Sequence, residues 1–440
     1  MKKLEACRFG GGRLSSLPSA FLLSGVCLWF LALPSPAFCA SWEPIGPDGG
    51  SFIFSVTNPV DANQVTAITT SPSPSYVWRS GDAGTTWTKI GEIPNSYIPD
   101  VTAFDFETLY AISSSLCYRS TDGGATWSES GLPSNAGWAY TVCVDPTDSS
   151  KVYAAGYLYE SSSQTEKMAF FKSTDGGRSW SPSSWFSFDF FNPTDMAIAA
   201  TSPSTIYVTA YKAIGAYLYP GLFKSSDAGN TWTDISDSVD SSRSDMFYAV
   251  AVDPTDADRV YVGGSYLYRT VRTARGTDIS WTRSPTPLFI YTIGIDPVEP
   301  SNIYTGGYQS VGISRDYGQS WTLRSNCVRS SVMHVQAALA NPSTVYVSTY
   351  AGLYKSPDSG VTWTSAHQGL RAAMIPALAV APSKILIQSN GYLMAHNRSR
   401  NRDADSDWRY VVTPESCGVV CDILINPDNP DIVLVLEGYG

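Results

Sequence analysis

The chain has 440 residues, 15% of them charged, 13% aromatic and 43% hydrophobic, with a formal net charge of −10. That acidity argues against nucleic acid or an anionic membrane surface as the main partner. The three histidines, His334, His367 and His396, lack ligand spacing, so neither a metal centre nor another cofactor is expected.

Residues 1–40 have the form of a secretory signal. Lys2, Lys3, Arg8 and Arg13 make a basic start, Phe21–Leu33 is apolar, and Pro34 and Pro36 break it before small residues that run to Ala40. Cleavage is expected between Ala37 and Ser41. A lipoprotein anchored at Cys39 is the rival reading, disfavoured by the bulk of Phe38. No later segment is long and apolar enough to span a membrane, so the expected location is secreted, periplasmic or cell surface. Without residues 1–40 the net charge is about −13.

From residue 80 onward the chain repeats Ser-x-Asp-x-Gly-x-(Ser/Thr)-Trp six times: Ser80–Trp87, Ser120–Trp127, Ser173–Trp180, Ser225–Trp232, Ser314–Trp321 and Ser356–Trp363. Units ending at Trp281 and Trp408 keep the Trp without the motif. Spacings of 40 to 53 residues between these tryptophans predict one four-stranded propeller blade per repeat. Upstream, most units carry a short apolar strand, Asp/Asn-Pro and an apolar-Tyr strand, as in Val142–Pro146 with Val152-Tyr153 and Val250–Pro254 with Val260-Tyr261. Asx-Pro between β-rich runs is turn chemistry. The expected fold is therefore all-β: a β-propeller of about eight blades, seven to nine, over 41–440, with the motif turning strand C into strand D. Asp82, Asp122, Asp175, Asp227, Asp316 and Asp358 are read as structural: the carboxylate accepts hairpin N–H groups, and the Gly takes a conformation that a side chain would strain.

The ends leave two readings open. After Trp408 a strand A and a strand B follow, and the chain stops at Glu437–Gly440, where strand C is due. Ser41–Ile45 resembles an orphan strand D. Either it completes the last blade and hides the edges, or the sequence is a C-terminally truncated fragment.

Six residues before the Pro of strand A stand Tyr140, Tyr248 and Tyr291, with Trp138, Phe247 and Phe289 close by. They form either an aromatic rim at the channel mouth or blade packing. Long loops in the third and fourth units, including Trp185 in a Trp-Phe-rich run, are either a recognition surface or self-packed. Arg398, Arg400 and Arg402 read as a solvated loop. Cys417 and Cys421 are the best disulfide candidates among five cysteines beyond residue 40, and Cys143 reads as a buried thiol. Asp100, Asp189 and Asp195 read as loop carboxylates.

The motif is the Asp-box, or BNR repeat. With Trp42…Gly49-Gly50…Asn58-Pro59 and the recurring Asp-Pro…Val-Tyr…Gly, the unit resembles Asp-box propellers of the xyloglucanase and sortilin types, and photosystem II assembly factors have a similar unit. The resemblance implies the fold and leaves the activity open. Sialidases carry Arg-Ile-Pro, whereas here Ile93-Pro94, Ile98-Pro99 and Ile375-Pro376 follow Glu92, Tyr97 and Met374. The xyloglucanase-type catalytic Asp would fall in Thr69–Ser73, which has no Asp. The reading is an exported, non-enzymatic propeller that binds a protein or polysaccharide partner on its loop face, with no catalytic residue assigned. The runner-up is a xyloglucanase-like glycoside hydrolase, ahead of a sialidase or a photosystem assembly factor.

Overall fold

The computed structural model describes residues 4–8, 49–71, 74–94, 98–160, 165–186, 190–214, 217–272, 279–284, 289–325, 327–328, 330–368, 371–372, 377–380, 384–389, 392–397, 408–410, 419–425 and 432–438. The chain divides into two units, Asp48–Met374 and Met1–Pro47 with Ile375–Gly440. In the first, seven antiparallel four-stranded sheets follow one another in sequence. Blade 1 runs Gly49–Thr57, Val65–Ser71, Ser75–Ser80 and Thr88–Ile93. The first strands of blades 2 to 7 are Asp100–Ala103, Ala136–Asp145, Phe190–Ile198, Ala249–Asp253, Thr292–Ile295 and Val332–Ala338. Each touches the first strand of the next blade, and that of blade 7 touches that of blade 1. These strands therefore line the centre, and no sheet face in the ring is left unstacked.

The ring holds seven blades, the low end of the expected seven to nine. The unit ending at Trp281 forms blade 5 despite its missing box. The unit ending at Trp408 forms a sheet of Ala377–Val380, Lys384–Ser389, Tyr392–Asn397 and Trp408–Tyr410 in the second unit, so it adds no blade to the ring. Leu4–Arg8, Ile432–Gly438 and Val419–Ile425 form a three-stranded sheet there. Blade 1 is complete from its own four strands, and Arg371-Ala372 adds a short parallel partner to Gly49-Gly50. Ser41–Ile45 and Arg398–Arg402 lie outside the described residues.

Every box joins the third strand of its blade to the fourth. In all six the Ser hydroxyl donates to the Asp carboxylate at 2.8 Å and accepts the Gly N–H. The Asp also takes the N–H and the hydroxyl of the Ser or Thr four residues on. The Gly and the residue before it are both left-handed, as at Ala83 (φ 57°) and Gly84 (φ 89°). This network holds the carboxyls of Asp82, Asp175 and Asp358 down at about 2, chiefly through the hydroxyls of Thr86, Ser179 and Thr362.

Each box docks on the blade before it. A Cβ on Gly124 would come within 2.7 Å of Val77, and one on Gly360 within 2.7 Å of Ile313. The cation before the box reaches the other way. Lys172 lies 5.8 Å from the Tyr153 ring and donates to the Ala228 carbonyl in the next box at 3.0 Å. Arg79 reaches the Gly123 carbonyl at 3.2 Å, and Arg315, over Tyr304, reaches that of Ser359. Lys355 and the Tyr346 hydroxyl both donate to the Ala83 carbonyl at 3.1 Å, and Trp87 Nε1 donates to the Ala366 carbonyl at 2.9 Å. Blade 7 is thus locked to blade 1 by the same chemistry that locks other neighbours. Trp87→Ala removes a buried side chain and this bond, so a loss of roughly 3–5 kcal/mol is expected in urea unfolding. A loss below about 1 kcal/mol would show that the closure is not held there.

Candidate functional site

The loops that lead into the first strands, and those joining second to third strands, share one face of the ring. Register across the first strands puts Tyr140, Tyr248 and Tyr291 at one level, because Thr141, Ala249 and Thr292 after them pair with Ala155, Gly263 and Gly306. Tyr248 and Tyr291 come together with their centroids 6.0 Å apart. Phe289 lies 5.2 Å from Tyr248 and 5.5 Å from Tyr291, and Tyr211 lies 6.5 Å from Tyr248. These four rings cross blades 4 to 6. Phe289 is 39% exposed; the three tyrosines are half-buried. Asn192 Nδ2 donates to the Tyr211 hydroxyl at 3.0 Å, and the Tyr248 and Tyr291 N–H groups bond to Gly263 and Gly306 at 2.8 Å. Burial raises the Tyr248 phenol above its usual range, so it is a neutral donor near pH 7. The same sequence position in blade 4 holds Thr194, whose hydroxyl donates to the Phe247 carbonyl at 2.9 Å.

Tyr140 is held separately, 6.4 Å from Tyr157. Ladder irregularities between Ala136, Ala139 and Thr141 bracket Trp138 and Tyr140. Bulges of this kind turn side chains out of the regular alternation, and Trp138 is 43% exposed. Gly137 permits the arrangement: a Cβ there would fall 1.9 Å from the Tyr157 ring. Trp185 lies in the outer strand of blade 3, Ser181–Phe186, and pairs with Ala169; its side chain lies outside the described residues. Phe247 is fully buried and packs with Tyr268, so it is core rather than rim. Tyr211 opens the Tyr211–Pro220 segment, one of the long insertions of the third and fourth units expected to be either a recognition surface or self-packed, and it lies in the second strand of blade 4, Ile206–Ile214.

Below the aromatic level lies a polar one. Asp100, Thr141, Asp195, Ala249, Thr292 and His334 share a register. Asp100 and Asp195 are therefore strand residues in the channel wall, not loop carboxylates. Asp100 accepts the Val101 N–H at 2.8 Å, the Thr141 hydroxyl at 2.7 Å and the Val142 N–H at 2.9 Å. Asp195 accepts the Met196 and Val250 N–H groups at 2.8 and 2.9 Å. Each carboxylate covers an N–H at the edge of the next blade's first strand. Burial pushes Asp100 up to about 6 and Asp195 up to about 7, with Asp100 adding repulsion at Asp195. Burial takes His334 down to about 4; among the described residues its Nδ1 has no hydrogen-bond partner, and its ring lies 4.8 Å from Phe54. Asp189 lies outside the described residues.

Cys143 is a free, half-buried thiol on the first strand of blade 3, raised well above the usual thiol range by burial and then by Asp100 and Asp195. Cys117 and Cys327 are free too, and Cys417 lies outside the described residues. Among the described residues no three His, Cys, Asp or Glu side chains are grouped to hold a metal. An acid whose folded pKa is raised stabilises the fold less as pH climbs from its unfolded value to its folded one. The melting temperature of Asp195→Asn is therefore expected to gain on wild type between about pH 4 and pH 7 and to run parallel above. A difference that is flat in pH would place the Asp195 pKa near its ordinary value.

Residues 75–213 match the family model described as Sortilin, neurotensin receptor 3. A search of curated proteins returns no match. Among solved structures, a GH74 enzyme from Niastella koreensis superposes with a TM-score of 0.60 at 16% identity, covering 88% of this chain and 69% of that one. YCF48 bound to D1 peptide gives a TM-score of 0.51 at 13% identity, covering 72% of this chain and 94% of that one. The GH74 xyloglucanase from Xanthomonas campestris gives 0.48 at 16% identity, over 85% and 68% of the two chains. No helix among the described residues is long and apolar enough to cross a membrane. The six box turns and the seven-bladed ring make the chain a β-propeller with Asp-box turns, similar over residues 75–213 to the sortilin-type model and sharing its fold with the Niastella koreensis GH74 enzyme.

Proposed function

We propose that this is an exported, non-enzymatic propeller that binds a protein partner through the aromatic loop face of blades 4 to 6. The observation that carries the reading is the cluster of Tyr211, Tyr248, Phe289 and Tyr291. In its four contacting pairs the rings are tilted to one another by 64°, 50°, 74° and 48°. A polysaccharide stacks its flat rings best on a coplanar platform. Mutually tilted rings present ridges and hollows, which suit branched apolar side chains, with the phenol hydroxyls available to backbone groups. Exposed Trp138, near Tyr140, extends the apolar character to blade 3. The solved YCF48 complex with a peptide is a precedent at the level of fold. Export rests on the signal-like residues 1–40.

A second reading, glycoside hydrolysis, is favoured by one observation. Asp100 and Asp195 are two channel carboxylates with raised pKa values, and a general acid must hold its proton near neutral pH. Against it, both already accept backbone N–H groups from neighbouring blades, a structural task.

Selection of a displayed peptide library on the full chain, followed by calorimetry, tests the first reading. Tyr248→Ala and Phe289→Ala are each expected to weaken the selected peptides by roughly 30-fold, about 2 kcal/mol. Xyloglucan and cello-oligosaccharides serve as parallel probes. Saturable glycan binding that is lost in Tyr248→Ala, with no peptide selected, would overturn the protein assignment. Reducing ends released from xyloglucan by wild type and not by Asp195→Asn would establish the hydrolase.

A further inference from the structure

Three joints lack the cation-to-carbonyl lock among the described residues: between blades 2 and 3 Arg119 donates to the Tyr110 hydroxyl instead, blade 5 offers Lys224 no box, and between blades 5 and 6 a box is present but unreached. Arg269 pairs with Tyr261 as Lys172 pairs with Tyr153, so it occupies the place of the locking cation. It lies against the blade 6 box, its Cδ 3.5 Å from where a Cβ on Gly318 would stand. Yet among the described residues its guanidinium has no acceptor, and its Nε–H is shut away from solvent. The terminal nitrogens are not enclosed in this way, so they are the donors that an incoming acceptor in the cleft can meet.

A cavity of about 240 Å³ opens beside it, lined by Arg259, Arg269, Arg272, Asp256, Asp258 and Tyr317 among others. Two of its three arginines are already matched. Arg259 holds Asp253 at 2.7 Å and Asp256 at 3.5 Å, and Arg272 holds Asp256 and Asp258 at 3.1 Å each. Arg269 is the one left with open donors. Tyr317 forms a wall, with Arg259 stacked 4.1 Å from its ring centre. It stands at the left-handed box position (φ 58°) that Ala, Gly or Ser fills in the other five boxes. A bulky ring at such a conformation is strained, and strain of this kind gathers at ligand sites.

We propose that this cleft binds a small monocarboxylate with a short apolar stem. The carboxylate forks onto Arg269, and the stem lies along Tyr317 and Val271. The planar two-oxygen anion matches the guanidinium fork. A phosphate dianion would face repulsion from Asp256 and Asp258 in the same cleft. The volume admits a ligand of amino-acid size.

Titration of the full chain with N-acetyl-leucine, N-acetyl-leucinamide and inorganic phosphate, followed by calorimetry, tests the site. The acid is expected to bind saturably, and the amide and phosphate are not. Arg269→Gln should weaken the acid at least about tenfold. Asp258→Asn, which removes a like charge at an exposed position, should tighten it and admit phosphate. No saturable binding of the acid, equal binding of the amide, or a Kd unmoved by Arg269→Gln overturns the proposal. If Arg269→Gln fails to fold, the Asp258→Asn arm decides: an unchanged Kd for the acid overturns the proposal. These readouts do not involve Tyr248 or Phe289, so the aromatic face stands or falls separately.

Discussion

The ring depends on one contact that recurs at four of its joints: a cation of one blade donating to a main-chain carbonyl in the box of the next. The box turns two consecutive residues left-handed, and that exposes the carbonyl; Ala83, Gly123, Ala228 and Ser359 each present one. Burying such a carbonyl between sheets without a donor would cost more than a typical hydrogen bond returns. Lys172, Arg79, Arg315 and Lys355 supply donors, and aromatic rings beneath most of them shape the cation's path. The Asp at the box centre never leaves its own hairpin. It makes the turn rigid, and the rigid turn offers the carbonyl.

Much of this was visible in the sequence. Six boxes located six turns, and the Trp281 unit located the blade that has none. What could not be read was the acceptor of the pre-box cation, because a backbone carbonyl carries no residue identity. Seven blades fall at the low end of the seven to nine that the repeats predict, because the Trp408 repeat signals a sheet of the same kind that belongs to the other unit. Asp100 and Asp195 were misplaced because a ladder irregularity precedes Asp195 and Asp100 opens a short strand, so period-two counting lost their register. Tyr140, Tyr248 and Tyr291 were found at one level, yet only the last two meet, since blade 4 intervenes with Thr194.

The two faces of the ring divide labour along the chain. On the box face the pre-box cations at four joints are committed to the next blade, while Arg269 lies against the blade 6 box with no acceptor among the described residues. On the loop face the inserted segments of blades 3 to 6 carry the aromatics, and rigid first strands hold them in place. The channel between carries two carboxylates that cover the edge N–H groups of blades 3 and 5. Capping those edges with buried acids lowers stability near neutral pH, and it also removes a ladder on which another strand could pair.

The closure bond from Trp87 to Ala366 joins residues 279 positions apart, and Tyr346 reaches Ala83 across 263. Every other joint links blades adjacent in sequence. During synthesis, then, each new blade can settle on the one just made, while blade 1 keeps its box and one flank uncovered until the seventh arrives. Contacts of such separation form late and slowly, and until they do the open arc shows two sheet faces able to take the wrong partner. In such a molecule the final step of folding and the risk of misassembly are the same event, and the side chains that govern it are Trp87, Tyr346 and Lys355.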